Sequence, residues 1–209
     1  MYYSRMRFTT QLLPLLLESS LPARVISVFA AGTESKLFLD DLSLREPSRY
    51  GYFQARSHIT YMKTVFFESL AAKYPGKLSL THLFPGLVMT PAFKDPAAPA
   101  WFKAAWFIVS PVMRFSAVPA DEIGARVLFL ATDRFPARQS EKSLGSDANA
   151  ATGTDGNLSS GAYSVGEKSE TIPVSSAYKH VDKEVLLKRG WDHTMKAFAD
   201  IEAGRKFRD

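Results

Sequence analysis

Cysteine is absent from the 209-residue chain. That excludes a disulfide framework, a thiolate metal site and a cysteine nucleophile, and it suits a reducing, cytoplasmic setting. Histidine is scarce, with four in all, and no two are spaced as a metal-binding pair. No carboxylate pair is spaced for glycoside hydrolysis. Long uncharged apolar runs are also lacking. The most apolar stretch, 97–118, is broken by Lys103, Pro111 and Arg114, so no membrane span is expected. Near the start, Arg5 and Arg7 precede the apolar run 12–17, but Pro14 interrupts it and no small-residue cleavage site follows, so a signal peptide is not expected. The formal charge of +5 is scattered. Its one dense region, from Lys179 to Arg208, is interleaved with Asp and Glu and reads as a solvated helix face, not a nucleic-acid surface.

The 46% of apolar residues is that of an ordinary globular domain, and its patterning sets out the elements. Residues 3–18 read as a helix with Met6, Leu13, Leu16 and Leu17 on one face and Pro14 as its weak point. Residues 24–29 (RVISVF) are short, β-branched and apolar, hence a buried strand. Gly32 and Thr33 mark a turn, and 34–49 a long loop with an apolar island at 37–39. The strongest helical pattern covers 52–74, through Ile59, Met62, Phe66, Phe67 and Leu70, and Pro75-Gly76 ends it. Residues 78–84 (LSLTHLF) form a second strand closed by Pro85-Gly86. One or two short apolar helices lie within 101–115. Another opens at Pro119, with Ile123, Val127, Leu128 and Leu130 inward. The Ser-, Gly- and Asn-rich segment 138–160 reads as a flexible loop, 161–165 as a third strand, and 181–207 as a helix striped by Leu187, Trp191, Met195, Phe198 and Ile201. Strands alternating with helices predict one α/β domain over 1–209: a partial Rossmann-like parallel sheet of about three strands flanked by helices. Such a sheet leaves an edge open to self-association.

The segment 84–91 (FPGLVMTP) resembles the Pro-Gly-x-x-x-Thr turn after the sixth strand of short-chain dehydrogenases/reductases. The strand RVISVFAAG, the long helix, the Pro-Ala-Asp-Glu helix start and the strand Gly-Ala-Tyr-Ser-Val extend the likeness along the chain. The ending Gly190-Trp191-Asp192-His193-Thr194 is similar to that of a loosely described fungal subgroup. The resemblance implies NAD(P)-dependent oxidation or reduction of an alcohol or ketone, a small-molecule substrate, and a role in fungal secondary metabolism. It also implies cofactor-binding by Pro85, Gly86, Val88 and Thr90, at the carboxyl end of a strand where open α/β sheets take ligands.

Two departures weigh against intact chemistry. The family's Gly-rich nucleotide turn has no counterpart here, which makes cofactor binding doubtful and suggests an N-terminally truncated member. The family's Ser, Tyr and Lys are also altered: the serine falls at Ala30, with Ser27 three residues earlier, and the nearest dyad is Tyr52 with Arg56 as catalytic residues. Tyr50 is the rival tyrosine and His58 a rival acid or base. Tyr61 and Lys63 are expected to face outward, and His82 to be a satisfied core residue. Trp101, Phe102, Trp106 and Phe107 suit a substrate lid or a docking patch, and Asp121-Glu122 a helix first turn. The alternative function is that of an inactive dehydrogenase-fold protein with a binding role or none.

Overall fold

The computed structural model describes residues 1–89, 99–139, 149–174, 178 and 181–208, and within its helices every side chain except those of Phe102 and Arg114. Three strands, β1 (Ala23–Val28), β2 (Leu78–Leu83) and β3 (Ala162–Val165), form a parallel sheet in that order. Five helices surround it: α1 (Tyr2–Glu18), α2 (Tyr52–Lys73), α3 (Ala100–Ser116), α4 (Ala120–Phe129) and α5 (Lys183–Glu202). A single 3-10 turn, Pro47–Arg49, interrupts the loop before α2. The strand segments sit where short β-branched runs end in Pro-Gly or Gly turns. Among the described residues no helix is long and apolar enough to cross a membrane.

Strand alternation sorts the core into two layers. Leu78 and Leu80 of β2 and Ala162 of β3 meet Met62, Phe66, Phe67 and Leu70 of α2, with Tyr2 and Met6 of α1 and Phe198 of α5 behind. On the opposite face Leu83, Tyr163 and Val165 pack on Leu130, Phe135 and Ala151. Every residue of β2 is buried, as expected for a central parallel strand covered on both sides. β1, by contrast, lies at the edge and is only half-buried. Between it and α1 runs a groove of about 650 Å³ lined by Phe8, Leu12, Leu16, Val25, Ile26 and Val28 among others.

The ending Gly190 to Thr194 holds three helices together. A Cβ on Gly190 would stand 2.7 Å from Val65 Cγ1, so α5 approaches α2 where no side chain intervenes. Trp191 stacks on Phe66 at 5.2 Å between ring centroids. The Tyr2 hydroxyl lies 2.7 Å from Thr194 Oγ1, and the Tyr3 hydroxyl 2.7 Å from His193 Nε2, which ties α1 to α5. Gly190→Leu is expected to overpack this crossing and lower stability by about 2–3 kcal/mol. Gly190→Ala should cost less, because the gain in helix propensity of about 1 kcal/mol offsets the clash. Urea midpoints of the two variants would check both figures.

Several sequence expectations are corrected. Leu128 and Ile201, expected inward, are exposed, whereas Leu130 just after α4 and Phe198 of α5 are buried as expected, with Leu186 and Ala197 of α5 buried as well. The described part of the polar segment, 149–160, is packed. Ala150, Ala151, Thr154, Ser159 and Ser160 are buried, and Thr152 bridges Leu158. Small residues suit it because the backbone passes so close: a Cβ on Gly161 would stand 2.6 Å from Arg138 N. α3 carries Phe107, Ile108, Val112 and Phe115 on its exposed surface.

Candidate functional site

The carboxyl ends of β1 and β2 meet the first half of α2, and there the core stops being apolar. Register pairs Ser27 with His82 and His82 with Ser164, so three polar side chains form a row across the α2 face of the sheet. Ser27 Oγ, His82 Nδ1 and Ser164 Oγ are all buried without a hydrogen-bond partner among the described residues. The backbone N–H of Ala30 donates to His82 Nε2 at 3.2 Å, which leaves the ring proton on Nδ1. Burial, followed by the nearby charges of Lys63, Arg5 and Arg56, holds His82 well below the ordinary imidazole range and hence neutral.

Lys63 lies over this row. It is fully buried, not outward-facing as expected, and its Nζ has no hydrogen-bond partner among the described residues. Burial, and secondarily repulsion from Arg5, pulls its pKa down to about 7 against the attraction of Glu34. Thr64 Oγ1 donates to Glu34 Oε1 at 2.7 Å, while Glu34 Oε2 is buried and unpartnered, and burial raises that carboxyl's pKa. Tyr61 is also buried, packed at 5.9 Å edge-to-face on Tyr178, because α5 covers the side of α2 that faces away from the sheet. The sequence did carry a signal for Lys63. It stands four residues after Ile59 and three before Phe66, in the middle of the stripe that predicts burial.

Phe29, just beyond β1, collects the cations. Its ring centroid is 4.8 Å from Lys63 Nζ, 5.5 Å from Arg56 Cζ and 5.7 Å from Arg5 Cζ, and it stacks on His82 at 6.4 Å. Arg5 Nη1 also donates to the Val28 carbonyl at 2.6 Å, so α1 closes one side of the cluster. Arg56 lies between Phe29 and Phe84, the latter at 6.0 Å.

Tyr52 and Arg56, one helical turn apart, line the same cleft of about 520 Å³ with Thr33, Ser35, Phe53 and Ser57. Tyr52 is 73% exposed, and Tyr50 nearly as open. Ser57 Oγ accepts from the backbone N–H of Ser35 and lies 2.8 Å from Ser35 Oγ. Ala30, where the sequence resemblance places the family's serine, is buried. His58 is buried away from this cleft, stacked on Phe38, with Nε2 3.0 Å from the Leu42 carbonyl.

The turn after β2 runs through Pro85 and Gly86 to Val88. Gly86 has φ 71°, and a Cβ there would stand 2.2 Å from Glu167 Oε2, so the group that crowds its backbone is that carboxylate. Val88 bridges Val118, whose N–H donates to the Leu87 carbonyl at 2.8 Å. Arg126 of α4 bonds both the Glu167 carbonyl and the Glu122 carboxylate, which gives the charged first turn of α4 a structural use. Thr90 lies outside the described residues. Among the described residues no cluster of His, Asp or Glu is arranged to hold a metal ion.

No family model matches the chain. It is, however, 36% identical to a short-chain dehydrogenase/reductase of Stachybotrys chartarum over 96% of its own length and 57% of that protein's. It is 35% identical to an oxidoreductase of Emericella nidulans over 92% of its length and 58% of the relative's. A further oxidoreductase, from Emericella variicolor, shares 30% identity over 96% of this chain and 59% of its own length. The chain thus spans somewhat under three fifths of the length of these three curated relatives.

Proposed function

The chain is a short-chain dehydrogenase/reductase-like protein of the fungal kind, and from that premise we propose that it serves NAD(P)-dependent interconversion of an alcohol and a ketone in fungal secondary metabolism, within the cytoplasm. The observation that carries the reading is the cleft at the carboxyl ends of parallel strands, shared by Tyr52 and Arg56. Tyr52 is the group that gives a proton to, or takes one from, the substrate oxygen. Its side chain is exposed and lines the cleft, where a small molecule can reach it. Arg56 is the fixed cation that favours negative charge developing there.

The turn after β2 is the part of the chain we assign to the nicotinamide end of the cofactor. Backbone groups of Pro85, Gly86 and Val88, with Thr90, would hold its carboxamide, and Glu167 must swing from Gly86 to admit a flat ring. When bound, the cofactor supplies or accepts the hydride. For its pyrophosphate end, the described residues offer no glycine-rich strand-to-helix turn.

Titrating NADH or NADPH into the chain should therefore give a dissociation constant weaker than about 100 μM; a micromolar value, about −8 kcal/mol, contradicts this. At saturating cofactor, Tyr52→Phe should lower kcat on a ketone panel by at least about 100-fold. An unchanged rate would remove Tyr52 from the mechanism. Ala30 in the serine's place favours a second reading, a fold that binds without turnover. Binding with no measurable turnover in the unaltered chain would select it.

A further inference from the structure

Three cations from two helices surround one phenylalanine, and little compensates them. Arg5 comes from α1, and Arg56 and Lys63 from α2. Facing them are neutral His82 from β2 and Glu34 from the connection after β1, and Glu34 is already bonded to Thr64. Like charges so close in a partly dry site repel one another. The Arg56 guanidinium has no hydrogen-bond or ion-pair partner among the described residues. With Phe29 and Phe84 lying against it, its N–H edge is what remains free. That edge serves a cleft whose other lining residues are Thr33, Ser35, Tyr52, Phe53 and Ser57, none of them acidic. A second donor without a hydrogen-bond partner among the described residues, the fully buried Lys63 Nζ, lies against the same Phe29 ring as Arg56.

We propose that the cleft binds a carboxylate of the substrate on Arg56, with Lys63 and Arg5 behind it supplying positive field, so that the compound interconverted is a keto or hydroxy acid. This rests on the oxidoreductase reading above. A planar carboxylate matches the guanidinium fork with two parallel hydrogen bonds. The hydroxyls of Ser35 and Ser57, 2.8 Å apart, use one proton between them and leave one further donor within the same cleft.

The arrangement links binding to protons. In the free chain burial pulls the Lys63 pKa down to about 7, which favours the neutral amine at pH 8. A carboxylate brought close favours the charged ammonium and raises that pKa. Binding at pH 8 therefore takes up a proton, and affinity rises as pH falls from 9 towards 7.

Calorimetric titration of the whole chain with phenylpyruvate, its uncharged amide and inorganic phosphate tests this, run at pH 8 in two buffers of different ionisation enthalpy. Phenylpyruvate should bind at least tenfold more tightly than the amide, with buffer-dependent heat that reports proton uptake. Arg56→Met should abolish the preference for the acid. Arg56→Lys, which keeps the charge without the fork, should retain only part of it. Lys63→Met should bind several-fold more weakly and with no proton uptake. Equal binding of acid and amide, proton uptake surviving in Lys63→Met, or phosphate held as tightly as the acid would each overturn the proposal. The titration needs neither cofactor nor turnover. An inactive chain that prefers the acid sinks the enzymatic reading alone, and a chain that turns over neutral ketones but shows no preference for the acid sinks this one alone.

Discussion

Lys63→Met raises the melting temperature at pH 7, and the gain shrinks as pH approaches 10. The unaltered side chain buries an amine that has no hydrogen-bond partner among the described residues, in the middle of α2. Its pKa, near 10.5 in the unfolded chain, falls to about 7 on folding. Between those values the unfolded state binds the extra proton, so stability rises with pH across this window. The penalty is fully present below pH 7, where it is on the order of 5 kcal/mol, and vanishes above about pH 10. Methionine has nearly the same length and no charge to desolvate, and buried charges replaced by apolar groups of similar volume commonly gain 1–4 kcal/mol. For a chain of this size a gain of about 3 kcal/mol corresponds to roughly 6–12 °C. Calorimetric scans at pH 6, 7, 8.5 and 9.5 would show it. Two matching curves at every pH would mean that Lys63 reaches solvent or a partner group in solution. His82 and His58 act in the same direction at lower pH. Both are held neutral by burial, so protonation of the unfolded chain below about pH 6.5 draws stability away. The same lysine that weakens the fold is the one placed behind the proposed carboxylate, the kind of exchange between stability and function that active sites commonly show.

The second large effect concerns association. β1 offers one hydrogen-bonding edge to the α1 groove, where Val25, Ile26 and Val28 are apolar, Arg24 and Arg5 supply charge, and Arg5 already holds the Val28 carbonyl. Edges of this kind pair with other chains unless a charge or a bulge intervenes. The exposed apolar side chains of α3, Phe107, Ile108, Val112 and Phe115, add surface that favours association. The chain alone is therefore expected to elute from size-exclusion chromatography as an oligomer or aggregate, at a mass well above the 23.2 kDa of one copy by light scattering. Val28→Lys, at the exposed end of the strand, should shift the population towards one copy. A monodisperse, cooperatively melting single copy in the unaltered chain would show that the edge is closed in solution.

Much of the fold is legible in the sequence because it is written in runs. RVISVF and LSLTHLF are short apolar runs that read as strands, although only the second is fully buried and the first, expected buried, is a half-buried edge; Pro75-Gly76 and Pro85-Gly86 bracket β2. Tyr52 and Arg56 share a cleft because residues four apart share a helix face. What escapes the sequence depends on partners far along the chain. Tyr61 is buried by Tyr178, Gly86 is crowded by Glu167, and the polar row needs the register of three strands to bring Ser27, His82 and Ser164 together. Lys63 is the exception: its place on the stripe was visible, but residue type argued for solvent.

The strand order has a kinetic corollary. Leu78 pairs with Ala23 and Ala162 with Leu80, so no two strands of the sheet are joined by a hairpin. Every ladder must wait for a long stretch of chain, α2 in the first case and α3 and α4 in the second, to close its ends. Isolated helical turns form within about a microsecond, but distant pairings of this sort fold over milliseconds to seconds. During that interval β1 and β2 are two apolar segments without neighbours, open to the same segments of other chains. Yield on refolding is then decided by a race between closure within one chain, which ignores concentration, and encounter between chains, which grows with it.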